Sequence, residues 1–277
     1  MICIDSHQHF WQLSRGDYDW LTPELELLYR DFLPSDLSSV LEECDVSNTI
    51  LVQAAPTVEE TEFMLKLADN TDFVIGVVGW VDMASDNAIS QLETFSQNSF
   101  FKGIRPMLQD IDDVEWMLKP ELAPVFEYLI DKGLTFDALV LPKHLDALYS
   151  LLKKYPKLKV VIDHGAKPPI EEGSSQEWFE KISLIASETT AYCKLSGLVT
   201  EAGINPHFDQ LAPYMEHLLI CFGYERLMWG SDWPVVNLSS SYQTWLKQTQ
   251  DFLSPLSKNE QQLILAGNAQ NFYQLKK

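Results

Sequence analysis

The sequence predicts an α/β protein of one domain, a (β/α)8 TIM barrel, on three observations. Eight short apolar runs alternate with amphipathic segments of helical period along the 277 residues, the pattern of parallel strands joined by crossover helices. Many of these runs end in a polar or ionisable residue, and in such barrels the C-terminal ends of the strands carry the chemistry. No Gly-x-Gly-x-x-Gly or Gly-Lys-Ser/Thr loop follows any run, which argues against an open nucleotide-binding sheet. A chain of this size commonly forms a single barrel domain.

The first strand covers residues 1–9, and strict alternation puts Cys3, Asp5, His7 and His9 on one face. Two imidazoles on one side of a strand end can hold a metal or carry a proton. The next stretch, 10–34, contains Trp11, Tyr18, Trp20, Tyr29 and Phe32. A long aromatic excursion inside a compact domain reads as a lid over the mouth of a site. Ser35 is expected to cap a helix reaching Cys44, with Leu37, Val40 and Leu41 on its buried face. Strand 48–54 carries Gln53 near its end, helix 59–70 buries Phe63, Met64 and Leu67, and strand 73–81 has Trp80 near its tip.

A helix capped by Ser85 or Asp86 carries Ile89, Leu92 and Phe95, and strand 100–106 places Phe101, Gly103 and Arg105 on one face. Helix 121–132 is stopped by Gly133. Strand 134–141 embeds Asp137, helix 143–154 presents four leucines, and strand 158–164 ends at His164, followed by a turn containing Lys167. Helix 178–187 leads to strand 190–198, with Lys194 and Ser196 on one face. Helix 208–222 is expected to break at Pro213, and strand 226–232 ends at Asp232, next to Trp233. From residue 244 to 277, accessory helices are expected to seal the outside of the barrel, with Leu263, Ile264, Phe272 and Tyr273 as packing residues.

Lys plus Arg number 20 against 40 for Asp plus Glu, a net charge of −20. A field of that sign repels nucleic acid and anionic membrane surfaces, so neither is expected as a partner. No run approaches the roughly 18–20 apolar residues of a membrane span, and no secretory leader pattern opens the sequence. The expectation is a soluble, cytoplasmic protein. Cys3, Cys44, Cys193 and Cys221 are widely separated and suggest neither a zinc knuckle nor a disulfide framework.

His-x-His on the first strand and an Asp closing the last resemble the amidohydrolase superfamily. The phrases Ile4-Asp-Ser-His-Gln-His-Phe-Trp11, Val161-Ile-Asp-His-Gly-Ala-Lys-Pro168, Lys194-Leu-Ser-Gly-Leu198 and Trp229-Gly-Ser-Asp-Trp-Pro-Val235 are similar to its amidohydrolase-2 branch of sugar-lactone hydrolases, typified by L-fuconolactonase and L-rhamnonolactonase. The likeness extends to the segment 267–273. It implies hydrolysis of a sugar lactone, a small-molecule substrate, to the aldonic acid. In that reading Asp232 activates water, and His7, His9 and His164 act with it in catalysis. Arg105, Lys167, Gln53, Trp80 and Trp233 would contact substrate.

The sequence departs from the two-metal members of the superfamily, which bring a bridging Lys or Glu from the fourth strand and a histidine from the fifth. Arg105 stands on the fourth strand here, and a guanidinium has no lone pair to offer a cation. The cofactor expectation is therefore none, or one divalent ion held by His7, His9 and Asp232, with zinc best matched to N and O donors. A metal-dependent decarboxylase of a small unsaturated or aromatic acid, and a non-catalytic sugar-binding barrel, are the competing readings. The sugar, its ring size, the oligomeric state and the roles of Asp137, Lys194 and Ser196 are left open at this level.

Overall fold

The computed structural model describes residues 2–173 and 175–275. Eight parallel strands follow one another in chain order around a single sheet: β1 (Ile4–Gln8), β2 (Asn48–Val52), β3 (Val74–Gly79), β4 (Phe101–Ile104), β5 (Thr135–Ala138), β6 (Lys159–Ile162), β7 (Tyr192–Leu195) and β8 (Leu227–Trp229). Backbone bonds from Asp232 N to His7 O (2.8 Å) and from His9 N to Trp233 O (2.7 Å) join the last strand's extension to the first and close the barrel. The expected (β/α)8 architecture is thus present.

Helices pack around the outside because each carries one apolar face: α1 (Pro34–Glu43), α2 (Val58–Ala68), α3 (Ala88–Phe95), α4 (Ala123–Lys132), α5 (Leu145–Lys154), α6 (Gln176–Glu188), the short α7 (Leu198–Glu201) and α8 (Phe208–Phe222). Two local expectations differ from the structure. Ser35 lies inside α1, whose N-cap is Leu33; Pro34 takes the first helical position and Asp36 accepts the Leu33 N–H at 2.9 Å, a use of Pro that costs no hydrogen bond. α8 runs unbroken through Pro213. Proline there removes one backbone bond, while Leu211, Tyr214, Met215, Leu218 and Phe222 bury one continuous face across it, and packing outweighs the local penalty.

The first strand departs from simple alternation. Asp5 is level with Thr49 and Gln8 with Leu51, so three residues of β1 span two of β2, the signature of a bulge. The inserted residue moves Asp5 off the face that His7 and His9 share. Asp5 instead accepts bonds from Ser231 N (2.8 Å), Ser231 Oγ (2.6 Å) and Tyr242 OH (3.1 Å). Its burial pushes the carboxyl up to about 6, against the lowering effect of those bonds.

Beyond β8 come α9 (Tyr242–Leu253), α10 (Lys258–Gln262), a π turn at Leu263–Gly267 and α11 (Asn268–Phe272). α10 and the segment after it do not lie on the barrel's outer wall. Gln262 Nε2 donates to Ile2 O, and Asn268 Nδ2 donates to Tyr224 O and Leu227 O, so this segment crosses the N-terminal end of the barrel. Ala266, Ala269, Phe272, Tyr273 and Leu275 pack with Ile4, Ile50, Val52, Val78, Val161 and Met228 in one interior cluster. Among the described residues no helix is long and apolar enough to cross a membrane.

Candidate active site

The C-terminal strand ends surround a cavity of about 310 Å³ lined by His9, Arg105, His164, Lys167 and Asp232 among others. At its floor Asp232 Oδ1 lies 3.4 Å from His9 Nε2, 3.6 Å from His7 Nε2 and 3.8 Å from His164 Nε2. The four residues predicted as catalytic therefore converge from β1, β6 and β8. Local backbone chemistry makes this convergence achievable. Gly230 ends β8 where an added Cβ would stand 2.7 Å from His7 Cβ, so only glycine lets the two strands approach this closely. Asp232 itself has a φ of 59°, and residues 164–167 form a left-handed run with φ of 54°, 57°, 62° and 48°. Non-glycine residues rarely adopt this conformation, and where they do they cluster at functional sites. The run turns His164 inward beside Asp163. Gly197, at φ 65°, makes room for the ring, since a Cβ there would meet His164 Nδ1 at 2.4 Å.

Each histidine is held by its second nitrogen. His9 Nδ1 lies 2.7 Å from Val52 O, and His164 Nδ1 lies 2.9 Å from Ser196 Oγ. His7 Nδ1 faces Lys194 Nζ at 3.1 Å and Asp163 Oδ1 at 3.5 Å. Burial pushes the His164 imidazole down to about 4 against the pull of Asp232 and Asp163. Burial also lowers His9, and burial reinforced by Lys194 carries His7 well below its ordinary range. For Asp232 burial acts upward, but contact with His164, His9 and His7 outweighs it and holds the carboxyl below the usual range. One carboxylate and three imidazoles are thus gathered almost out of contact with solvent.

Arg105 is buried beside this group. Its Nη2 donates to Gln53 O, its Nη1 approaches Asp163 Oδ2 at 3.4 Å, and Gln53 Nε2 returns a bond to Arg105 O at 2.6 Å. Gln53 therefore positions Arg105 and does not line the cavity. Trp233 packs edge-on against Phe10 and Phe32, away from the cavity. Trp80 lines a neighbouring pocket with Trp20 and Trp116. Lys167 lies on the cavity wall 3.7 Å from Glu201. Strand periodicity places a residue near a rim but does not say which neighbour will intervene, which is why Gln53, Trp80 and Trp233 were expected to touch a ligand directly.

Trp20, named from sequence in the 10–34 excursion, lines the cavity, and so do Leu25, Leu28, Gln109, Asp110 and Glu201, which were not singled out. Of the aromatic 10–34 excursion, Trp11, Tyr18 and Phe32 are core residues. Trp20 alone of its aromatics reaches the cavity, fixed by Nε1 donating to Ala54 O at 2.7 Å. Asp163 was also missed, although an Asp directly before a strand-ending His was a visible signal. Lys194 and Asp137 form a fully buried ion pair at 2.6 Å, so neither is a substrate contact.

His7 Nε2, His9 Nε2 and Asp232 Oδ1 are 3.2, 3.4 and 3.6 Å apart. Donors at zinc-ligand distances in a tetrahedron are separated by about 3.3 Å, so the spacing fits one divalent ion. A second candidate group, His7, Asp163 and His164, shares His7 with the first. β5 contributes Asp137, already paired with Lys194, where a binuclear site would need a histidine.

A model of the amidohydrolase family matches residues 4–275. The chain is 42% identical to an L-fucono-1,5-lactonase of Burkholderia ambifaria over 98% of this chain and 95% of that protein. It is 31% identical to an L-fucono-1,5-lactonase of Burkholderia multivorans, covering 98% and 96%. A crystal structure of a Burkholderia multivorans amidohydrolase with bound zinc superposes with a TM-score of 0.94 at 31% identity, covering 100% of both chains. These matches show that the protein belongs to the amidohydrolase family.

Proposed function

We propose that this protein hydrolyses sugar lactones of the L-fucono- or L-rhamnono-lactone type to the corresponding aldonic acids. The observation that carries the reading is the carboxylate of Asp232, within 3.8 Å of three buried imidazoles at the floor of a cavity sized for one small ring. The names of the two lactonase relatives support the substrate class.

Asp232, ionised and buried, takes a proton from water as the water oxygen bonds to the lactone carbonyl carbon. Negative charge then develops on the carbonyl oxygen, where Arg105 and His7 stabilise it. The ring C–O bond breaks, and the proton held by Asp232 passes to the departing ring oxygen through His164, whose orientation Ser196 fixes. His7, His9 and Asp232 are the residues that would hold a divalent ion, zinc suiting that donor set, and such an ion would supply Lewis-acid polarisation of the carbonyl. β5 carries no histidine, which disfavours the metal-dependent decarboxylase.

Charges on the cavity wall support a neutral, hydroxyl-rich substrate. Arg105 is engaged by Gln53 O and Asp163, and Lys167 stands opposite Glu201, while Asp110 and Glu201 offer acceptors for hydroxyls. The test is proton release from a panel of aldonolactones in chelator-treated buffer, repeated with zinc restored. Turnover of neutral L-sugar lactones, with little on lactones carrying a free carboxylate, is expected. Silence across the panel in both conditions overturns the reading.

A further inference from the structure

Beside the cavity over Asp232 lies a second one of about 530 Å³, built mainly by the residues that follow β3 and β4. Trp20, Met107 and Asp110 line both, so the two share a rim. The hydrolysis described above makes no use of this second cavity.

Trp20, Trp80 and Trp116 give it three indole walls. An aromatic face covers the C–H face of a pyranose ring and leaves the ring's hydroxyls to polar neighbours. Two of these walls are fixed from behind. Trp20 Nε1 donates to Ala54 O at 2.7 Å, and Thr61 Oγ1 clamps the Trp80 backbone, accepting from Trp80 N and donating to Trp80 O at 2.8 Å each. Surfaces fixed before binding lose little freedom when a ligand arrives. Among the described residues Nε1 of Trp80 and of Trp116 has no acceptor, and neither atom is sealed from solvent. Both can donate to a ligand.

The charged groups of this cavity are of one sign. Asp19, Asp82 and Asp110 line it, and no Lys, Arg or His is among its lining residues. None of the three carboxylates has an ion-pair partner among the described residues, and Asp82 Oδ1 accepts only Ala84 N, at 3.1 Å. Such carboxylates accept bonds from hydroxyls and repel an anion. Indoles and carboxylates together also suit a quaternary ammonium. The shared rim decides for the sugar, because a group attached to a ring in the first cavity is carried across Trp20, Met107 and Asp110 into the second.

We propose that the second cavity is a glycosyl subsite, which takes a neutral pyranosyl ring attached to the lactone and so extends the substrate range to glycosylated aldonolactones. The attachment rests on the lactone-hydrolase reading; the affinity of the cavity for a neutral pyranoside does not.

The test uses the full chain labelled with fluorotryptophan, the ¹⁹F resonances of Trp80 and Trp116 being assigned with Trp80→Phe and Trp116→Phe. Methyl α-L-fucopyranoside, methyl β-D-galactopyranoside, methyl β-D-glucuronide and tetramethylammonium are titrated in turn. Saturable shifts of Trp80 and Trp116 with a neutral pyranoside, and a weaker response to the glucuronide, are expected. Trp116→Ala should weaken that binding by roughly tenfold, the scale of one aromatic contact. Asp82→Ala, which trims an exposed side chain, is measured beside it in case the first variant does not fold, and should weaken binding to a similar degree. Lactobionolactone, read by KM or by Ki against the best aldonolactone, should bind more tightly than gluconolactone. The same variants should erase that advantage and leave kcat/KM for the best single-ring lactone unchanged. No shift with either neutral pyranoside, saturation by tetramethylammonium alone, or no advantage for the glycosylated lactone overturns the proposal. Saturable pyranoside shifts without turnover of any lactone would defeat the hydrolase reading and leave a saccharide site standing.

Discussion

Gly230→Ala isolates the strand contact that brings His7 and Asp232 together. The added Cβ would lie 2.7 Å from His7 Cβ, 3.1 Å from His7 N and 3.3 Å from Ser196 Cβ, whereas carbon atoms rest at about 3.5–4.0 Å. One strand must yield by about 1 Å. Gly230 is not among the residues with positive φ, so the effect is steric and not torsional. Overpacking of this kind costs about 1–3 kcal/mol, which for a chain of this size lowers Tm by roughly 2–4 °C per kcal/mol. The effect on turnover should be larger, because a misplacement of about 1 Å between reacting groups can cost on the order of 10²-fold. Steady-state kinetics on the best aldonolactone, with a thermal melt on the same sample, measures both. A folded Gly230→Ala protein with kcat/KM within about threefold of wild type would refute the claim that this contact sets the site's geometry.

Asp232→Asn should retain the fold and lose about 10²–10⁴ in kcat, with substrate binding followed by Trp fluorescence largely kept; loss of binding in step with turnover would assign Asp232 to ground-state contact. The depressed His164 makes stability pH-dependent. Its folded value of about 4 lies below the ordinary 6.5, so the unfolded chain binds the proton more readily and stability falls as pH drops from about 6.5 toward 4. The full difference is on the order of 3 kcal/mol, and His164→Asn should flatten that limb of a Tm-against-pH curve. Glu60 has the opposite sign. Burial raises it from 4.5 to about 7 despite bonds from Tyr18 OH and Ala54 N, so ionising it costs stability as pH rises through that window. The Tm of Glu60→Gln relative to wild type should therefore climb between pH 5 and pH 8, and a constant difference would show that the ionised form is fully compensated by Arg15. Trp20→Ala should raise KM by roughly tenfold, since its aromatic wall area is lost from the cavity while the core aromatics Trp11 and Phe32 remain.

The barrel and most of the catalytic group were legible in the sequence because both depend on local periodicity. Period-2 strands and period-3.6 helices fix which residues face inward, and barrel geometry sends strand-end residues to a common rim. His7, His9, His164, Arg105 and Asp232 were found that way. Three kinds of information lay outside it. The bulge in β1 turned Asp5 away from His7 through one inserted residue, which alternation cannot register. The left-handed run at 164–167 and the glycines at 197 and 230 matter through contacts with residues far along the chain. Gln53, Trp80 and Trp233 sit at strand ends as expected, yet the Arg105 carbonyl, a second pocket and two phenylalanines claim them first. Residue type and strand period thus say which chemical groups reach the rim. Which of them face one another depends on folding, because the partners of Lys194, Asp137, Asp163 and Tyr273 are set by distances across the barrel that no spacing along the chain encodes.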